Sequence, residues 1–278
     1  MIITGMRFGF AARHTMPALR RIGAIAVTSA LALLLSPAFA HMPYVLPSAF
    51  EAARDRITIE ASFGEDAFRP EIAMKDAPFE VTGPDGRTVP LAAPMLTGDL
   101  TIVEAPLPAE GLYRVSSGQR LGRIGKMYRT GNGWTIVGEG AAPPAGVVVV
   151  DVRSATIADA YVLRGKPGAS GALTVRGKAL EIHPLGDPAS YSPGAPATFD
   201  ILYDGKPLAS EEITLFREAG VYDGRKQAGT ATTGKSGRIT LTPPDAGRYL
   251  ILARHRTATP TGPDAYTSFT ATLAFEAL

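Results

Sequence analysis

The sequence predicts an all-β protein: two tandem antiparallel β-sandwich domains, immunoglobulin-like or transthyretin-like, that follow a cleaved signal peptide. Three observations indicate this class. Apolar residues alternate with polar ones over short segments, glycine and proline separate these segments, and no long 3.6-residue apolar pattern is present. The 30 Gly and 23 Pro of the 278 residues are enough to supply the turns that many short strands need.

Residues 1–40 have the features of a signal peptide. Four arginines and no acidic residue lie in residues 1–21, and an apolar run of 14 residues extends from Ile22 to Leu35. The run is shorter than the roughly 20 residues of a membrane span, which disfavours an uncleaved membrane anchor. Cleavage removes the run, so no stable span is expected afterwards. Ala38-Phe39-Ala40 resembles a signal-peptidase site, with either Met1 or Met16 as the start of the leader. We therefore expect a periplasmic protein that begins at His41.

Charge and cysteine content narrow the function classes. Without the four arginines of the leader, the 28 Lys and Arg become 24, against 26 Asp and Glu. This balance does not support a nucleic-acid partner, which needs a clustered basic face. Cysteine is absent, which excludes disulfides and thiolate metal ligands.

Strand patterns continue along the predicted mature chain. Ile57, Ile59, Ala61 and Phe63 alternate with polar residues, as in a strand with one buried face. The four valines from Val147 to Val150 predict a strand buried on both faces. About seven strand patterns follow a loop rich in Gly near Ala169, where we place the boundary. The predicted domains are therefore residues 41–169 and 170–278.

A sequence pattern that occurs twice in the chain supports two similar modules. The pattern Pro-x-x-Gly-x-Tyr-x-aliphatic occurs at 108–115 and again at 244–251. In sandwiches such a pair of Pro and Gly leads into a late strand, where the Tyr packs its ring and its hydroxyl finds a backbone partner. We therefore expect Tyr113 and Tyr249 to occupy equivalent places.

One match to a nucleotide-binding motif is rejected. Residues 229–236 satisfy the P-loop pattern G-x-x-x-x-G-K-[ST], but a phosphate-binding loop needs a helix that begins at the Lys-Ser pair. The following residues, Gly237 to Pro244, have a strand pattern that ends in prolines. We predict a hairpin turn from Thr233 to Gly237 and no bound nucleotide.

Three histidines remain after cleavage and are the candidate metal ligands: His41, His183 and His255. A terminal His41 offers its α-amine and imidazole Nδ1 to one ion, which suits Cu, Ni or Co. Pro43 has no amide proton, so coordination along the backbone stops at Met42 and the site must be completed from elsewhere. His255, at a strand end, is the first candidate for the further ligand and His183 the second. For each histidine alone, a packed or solvated role without metal remains the simpler interpretation.

Several motifs resemble a known family. These are Leu180 to Pro188, Asp204 to Ala209, Gly237-Arg238 and Pro244 through Tyr249, together with Ala40-His41 and Val45-Leu46-Pro47 near the predicted mature start. They are similar to the bacterial "domain of unknown function four-one-nine-eight" family. The resemblance implies a β-rich exported protein associated with cobalt or nickel transport. The sequence departs from the family pattern at His183, where many relatives carry an aliphatic residue, and at Asp187, where a His often stands.

Three functional classes remain open. The first is a metal-binding uptake or delivery accessory that works with an envelope transporter or another envelope protein. The second is a non-metal interaction module that binds a protein or a glycan, with Trp134 as the candidate aromatic contact. The third is an oxidative enzyme of the histidine-brace type, which ranks last because no substrate surface or redox partner is identified; we expect no enzyme activity and assign no catalytic residue.

Overall fold

The structure, a computed structural model, describes residues 41–92, 94–131, 133–138, 142–168, 171–259 and 265–278. The predicted signal peptide lies outside them. In chain order the first strands are β1 (Met42–Pro47), β2 (Glu51–Ala52), β3 (Arg56–Gly64), β4 (Ile72–Ala73), β5 (Glu80–Thr82), β6 (Thr88–Pro90), β7 (Met95–Leu96), β8 (Thr101–Pro106), β9 (Gly111–Ser116) and β10 (Arg120–Thr130). They are followed by β11 (Gly133–Ile136), β12 (Val149–Arg164), β13 (Leu180–Leu185), β14 (Ala197–Tyr203), β15 (Lys206–Pro207), β16 (Glu212–Arg217), helix α1 (Gly220–Asp223), β17 (Gln227–Thr232), β18 (Arg238–Leu241), β19 (Gly247–Ala258) and β20 (Ala265–Ala277). Within these ranges no helix is long and apolar enough to cross a membrane.

The strands form three sheets, which confirms the all-β class. The N-terminal sheet has the order β1-β3-β8-β7, with β4 added beside β3. The central sheet has the order β17-β16-β19-β20-β12-β9-β5-β6, and β10, β11 and β2 join it through β12 and β10. The β14 sheet consists of β13, β14, β15 and β18. Most pairings are antiparallel, whereas β12 runs parallel to β20 and to β2.

The central sheet contributes to two hydrophobic cores, one on each face. Along β19, Leu250 and Leu252 belong to the core that contains β1 and β3. Tyr249 and Ile251 belong to the core that contains β13 and β14. Because neighbouring residues of a strand point to opposite faces, the N-terminal sheet and the β14 sheet cover opposite faces of the central sheet.

Strands from both halves of the chain share the central sheet. Residues 151–160 of β12 pair with residues 265–274 of β20. The predicted boundary at Ala169 falls outside the described residues, so the division into domains 41–169 and 170–278 stays a prediction.

The segment that matches the P-loop pattern forms a turn, as expected, followed by a strand. The amide of Gly237 donates to the carbonyl of Gly234 at 2.9 Å, and β18 begins at Arg238. The prediction of a hairpin is wrong, however, since β17 pairs with β16 and β18 pairs with β14. The turn therefore carries the chain from the central sheet to the β14 sheet.

The valine run is a second correction. Val148 and Val149 are 69% and 39% exposed, so the start of β12 is not buried on both faces. This end of β12 pairs with β10, and of its first residues Val150 and Val152 pack in a small satellite cluster with Met127. Apolar composition alone does not distinguish such a half-exposed strand from a buried one.

Candidate metal centre at the start of the first strand

His41 lies directly before β1, and that strand is firmly held. All six residues from Met42 to Pro47 are buried, and Met42 pairs with Gly64 of β3. The hydroxyl of Thr272 in the central sheet donates to the carbonyl of Pro43 at 2.7 Å. The backbone that leads out of His41 is therefore fixed to two sheets.

The loop from Gly64 to Glu71 brings two carboxylates to His41. Phe68, at a positive φ of 62°, is buried with its ring edge-on to Tyr44 at a centroid distance of 5.5 Å. A Cβ at Gly64 would lie 2.1 Å from the carbonyl oxygen of Arg69, so only glycine permits this close return of the loop. The amide of Glu71 donates to the carbonyl of Phe63 at 3.1 Å, which places Glu71 beside the start of β1.

Three side chains converge here. His41 Nε2 lies 3.0 Å from Glu71 Oε2, and the amide of Glu65 donates to Glu71 Oε1 at 3.2 Å. One potential ligand atom from each of His41, Glu65 and Glu71 lies within 4.8 Å of the other two. Among the described residues this is the one group of three or more His, Asp or Glu side chains with that spacing. It combines one imidazole with two carboxylates, and all three residues are exposed to solvent.

His255 occupies a different face of the molecule. It alternates with Ile251 and Ala253 on β19, and its ring lies 4.7 Å from that of Tyr203 in the β14 sheet. Its Nδ1 is 2.7 Å from Glu211 Oε1. The structure therefore does not bring His255 into the group at His41, because the central sheet lies between them.

His183 is also on the β14 sheet. It lies on β13 opposite Asp200 of β14 and is half-buried. Burial lowers the pKa of His183, and its Nδ1 has no hydrogen-bond partner among the described residues. His183 does not belong to the group at His41 either. Whether His183 or His255 binds a metal ion stays a prediction.

The sequence reasoning missed Glu65 and Glu71. Glu71 lies 30 positions from His41, and the pairing of β1 with β3 is what makes them neighbours. An exposed Glu in a loop carries no local pattern that marks it as a ligand. The only available signal was the alternation in residues 57–63, which predicts β3 but not the strand beside it.

Trp134 contacts two other side chains. Its ring lies 5.0 Å from the ring of Tyr266, and the guanidinium carbon of Arg129 lies 5.0 Å from its centroid. Trp134 also lines a cavity of about 380 Å³ together with His255 and Glu211. The candidate aromatic contact is thus beside the His255–Glu211 pair.

Comparison with solved structures finds distant likenesses. The D0-D1 domain of intimin is 14% identical, with 83% of this chain and 96% of that chain covered, at a TM-score of 0.21. A DUF4785 family protein of Legionella pneumophila is 10% identical, with 76% and 51% covered, at a TM-score of 0.23. At such TM-scores these likenesses support no inference about fold or function.

No curated protein matches the chain. Its family is nevertheless shown, since a family match spans most of the chain and confirms the resemblance drawn from the motifs. Residues 38–257 match the family described as "Domain of unknown function (DUF4198)", and the chain belongs to that family.

Proposed function

We propose that this protein is an exported, periplasmic metal-binding accessory that takes Cu, Ni or Co as cargo at His41 for uptake or delivery. The observation that supports this most directly is the convergence of His41, Glu65 and Glu71 at the start of β1. The association of the resembled family with cobalt or nickel transport agrees with it. The partner would be an envelope transporter or another envelope protein.

Two arrangements of ligands fit the geometry. In the first, the α-amine and Nδ1 of a terminal His41 chelate the ion, while Nε2–H donates to Glu71. Carboxylates commonly orient metal-binding histidines in this way. In the second, Nε2 of His41 binds the ion directly together with the carboxylates of Glu65 and Glu71. The first arrangement needs a free N-terminus at residue 41, whereas the second does not.

The experiment compares metal affinity in matched proteins. Mass spectrometry of the exported protein first establishes whether it begins at His41. Cu(II), Ni(II) and Co(II) are then titrated calorimetrically into this protein and into one with an extra alanine before His41. We expect Cu(II) to bind most tightly, following the general order of affinity.

Two substitutions separate the arrangements. Glu71→Gln keeps an acceptor for Nε2–H, so affinity changes little in the first arrangement and falls strongly in the second. Glu71→Ala removes the acceptor and should cost about 10–100-fold in the first arrangement, as for other partners that orient a metal ligand. Glu104→Gln is the control, because Glu104 is an exposed glutamate on β8 whose partner is Arg56.

Each further outcome bears on the proposal. Unchanged affinity in the extended protein, in His41→Ala and in Glu71→Ala would contradict a site at His41. A loss of metal affinity in His255→Ala or His183→Ala would instead identify that histidine as a ligand, as the sequence predicts. Absence of Cu(II) and Ni(II) binding at micromolar concentration in the protein that begins at His41 would overturn metal handling altogether.

A second candidate is an interaction module that binds a glycan or another protein. The position of Trp134 in a cavity with His255 and Glu211 favours it. Trp134 is the only tryptophan of the chain, so its fluorescence reports directly on this cavity. A saturable change in emission on titration with envelope oligosaccharides, lost in a His255→Ala variant, would support this module over a metal accessory.

A further inference from the structure

A second cavity lies between the central sheet and the segment that leads into β13. Its volume is about 460 Å³, within the range of small-molecule sites. Most of the residues that line it come from β5, β6, β9, β12 and β20 on one side and from residues 171–180 on the other. His41, Glu65 and Glu71 do not line it, so this cleft is separate from the candidate metal centre.

A buried network of charges lies against this cleft. Arg176 donates to both carboxylate oxygens of Asp159, at 2.7 Å each, and to Ser116 Oγ at 3.0 Å. Arg114 lies 3.6 Å from Glu181, and its Nη1 donates to the carbonyl of Thr174 at 3.1 Å. Burial of such groups is costly, and perturbed, buried charges beside a cavity are typical of functional sites.

The side of this network that faces the cleft is cationic. Arg114, Arg176 and Lys178 line the cavity, against a single carboxylate, that of Glu80. Asp159 and Glu181 are not among the lining residues, so they balance the arginines from behind the cavity wall. Nε of Arg114 and Nε of Arg176 have no hydrogen-bond partner among the described residues. Both Nε atoms are buried, so each is a buried donor without a partner in the described part of the chain, which is costly in a folded protein.

The remaining walls combine apolar and polar side chains. The apolar ones include Pro78, Ile157, Val175, Leu180 and Phe269, and the polar ones include Gln119 and several threonines. The cleft thus pairs basic side chains with a patch of apolar residues, and this combination complements a molecule with one anionic group and an apolar body. Among anions, a carboxylate accepts charge-assisted hydrogen bonds from Lys and Arg and needs only one or two donors.

We propose that this cleft binds a small organic carboxylate with an apolar body, whose carboxylate faces Arg114, Arg176 and Lys178. The proposal does not depend on metal binding at His41.

The test uses benzoate and hexanoate as probes and benzamide as the neutral control. Each is titrated to 10 mM into ¹⁵N-labelled exported protein, and amide shifts are followed. We expect saturable shifts at Gly118, Thr82 and Thr270, which line the cleft, with both carboxylates and not with benzamide. Shifts that are absent with both carboxylates at 10 mM, or equal with benzoate and benzamide, would overturn the proposal.

Variants at the exposed rim avoid the risk that the protein fails to fold. Lys178→Glu reverses the charge of one basic side chain of the cleft, and Val175→Trp fills the cleft from a position that is 38% exposed. We expect each to weaken benzoate binding by about tenfold or more, Lys178→Glu because it removes a charge-assisted partner of the carboxylate and Val175→Trp because it occupies the space of the apolar body. Arg123→Glu is the matched control, since Arg123 is an exposed cation on β10 that does not line the cleft.

Arg114→Met is informative only if its far-ultraviolet circular dichroism matches that of the wild type, and in that case it should abolish benzoate binding. Wild-type affinity in a folded Arg114→Met, or in Lys178→Glu and Val175→Trp together, would place the probe elsewhere and contradict the proposed site.

Discussion

Tyr113 and Tyr249 make the same pair of side-chain hydrogen bonds to the backbone in the two halves of the chain. Each hydroxyl donates to the carbonyl oxygen four residues earlier, that of Ala109 and that of Asp245, at 2.7 Å in both cases. Each hydroxyl also accepts the amide of that same residue, at 2.9 Å and 3.2 Å. The two copies of the sequence pattern are therefore structurally equivalent at their tyrosines, as predicted, and each tyrosine fixes the loop before its strand.

Removal of the Tyr249 hydroxyl should lower the free energy of unfolding. Tyr249→Phe keeps the fully buried ring but leaves the backbone of Asp245 without this partner, at a cost of about 1 kcal/mol. Tyr249→Ala also removes the ring and should cost about 3 kcal/mol. Urea unfolding measures both. Tyr222→Phe is the control, because Tyr222 is 90% exposed. If Tyr249→Phe lowers the free energy of unfolding no more than this control does, the hydroxyl of Tyr249 does not stabilise the loop and the prediction is contradicted.

Asp159→Asn should destabilise the protein strongly. The substitution leaves the guanidinium of Arg176, whose side chain is 15% exposed, without the carboxylate to which it donates two hydrogen bonds. Breaking a buried pair in this way typically costs about 3–5 kcal/mol. Asp151→Asn is the matched control, because Asp151 pairs with Lys126 where both side chains are more than half exposed, and should cost less than about 1 kcal/mol. Equal losses of unfolding free energy in the two variants, measured by urea unfolding, would contradict the expectation that breaking the buried ion pair costs more than breaking the exposed one.

The cost of Asp159→Asn should depend on pH. Burial alone would raise the pKa of Asp159, but the charge and hydrogen bonds of Arg176 outweigh burial and hold that pKa below its usual range. A carboxylate with a lowered folded pKa contributes its full stability above the unfolded value of about 3.9 and loses it as pH falls through the folded value. The difference in unfolding free energy between wild type and Asp159→Asn should thus stay constant from pH 7 to about pH 5 and shrink at lower pH. A difference that grows on acidification would contradict this assignment.

Phe68→Ala should weaken metal binding if the carboxylates hold the ion. Phe68 anchors the loop from Gly64 to Glu71 against Tyr44, and its truncation should also cost about 3 kcal/mol of stability. Cu(II) titration of the folded variant is the measurement. Phe50→Ala is the control, since Phe50 is buried in the same core but lies outside this loop. Equal Cu(II) affinity in both variants would favour the chelate of α-amine and Nδ1 alone.

The candidate site shows where prediction from sequence stops. His41 was found because a predicted cleavage site gives it a free amine, which is a property of local sequence. Its neighbours Glu65 and Glu71 follow from the pairing of β1 with β3 and from the loop that Phe68 anchors. His255, the ligand favoured by sequence, pairs with Glu211 on the other face of the central sheet. A face of a strand can be read from alternation, but the sheet that covers this face cannot.

The sequence by itself determined the all-β class, the turn after Thr233 and the equivalence of Tyr113 and Tyr249. Each of these depends on residues a few positions apart. The class follows from alternation, the turn from the backbone preferences of Gly and Pro, and the equivalence from a hydrogen bond between residues four positions apart. Tertiary structure alone decided that β17 and β18 enter different sheets and that β12 lies beside β20. Strand pairing joins distant residues through backbone groups that are alike at every position, so side-chain packing across the whole chain selects the partner.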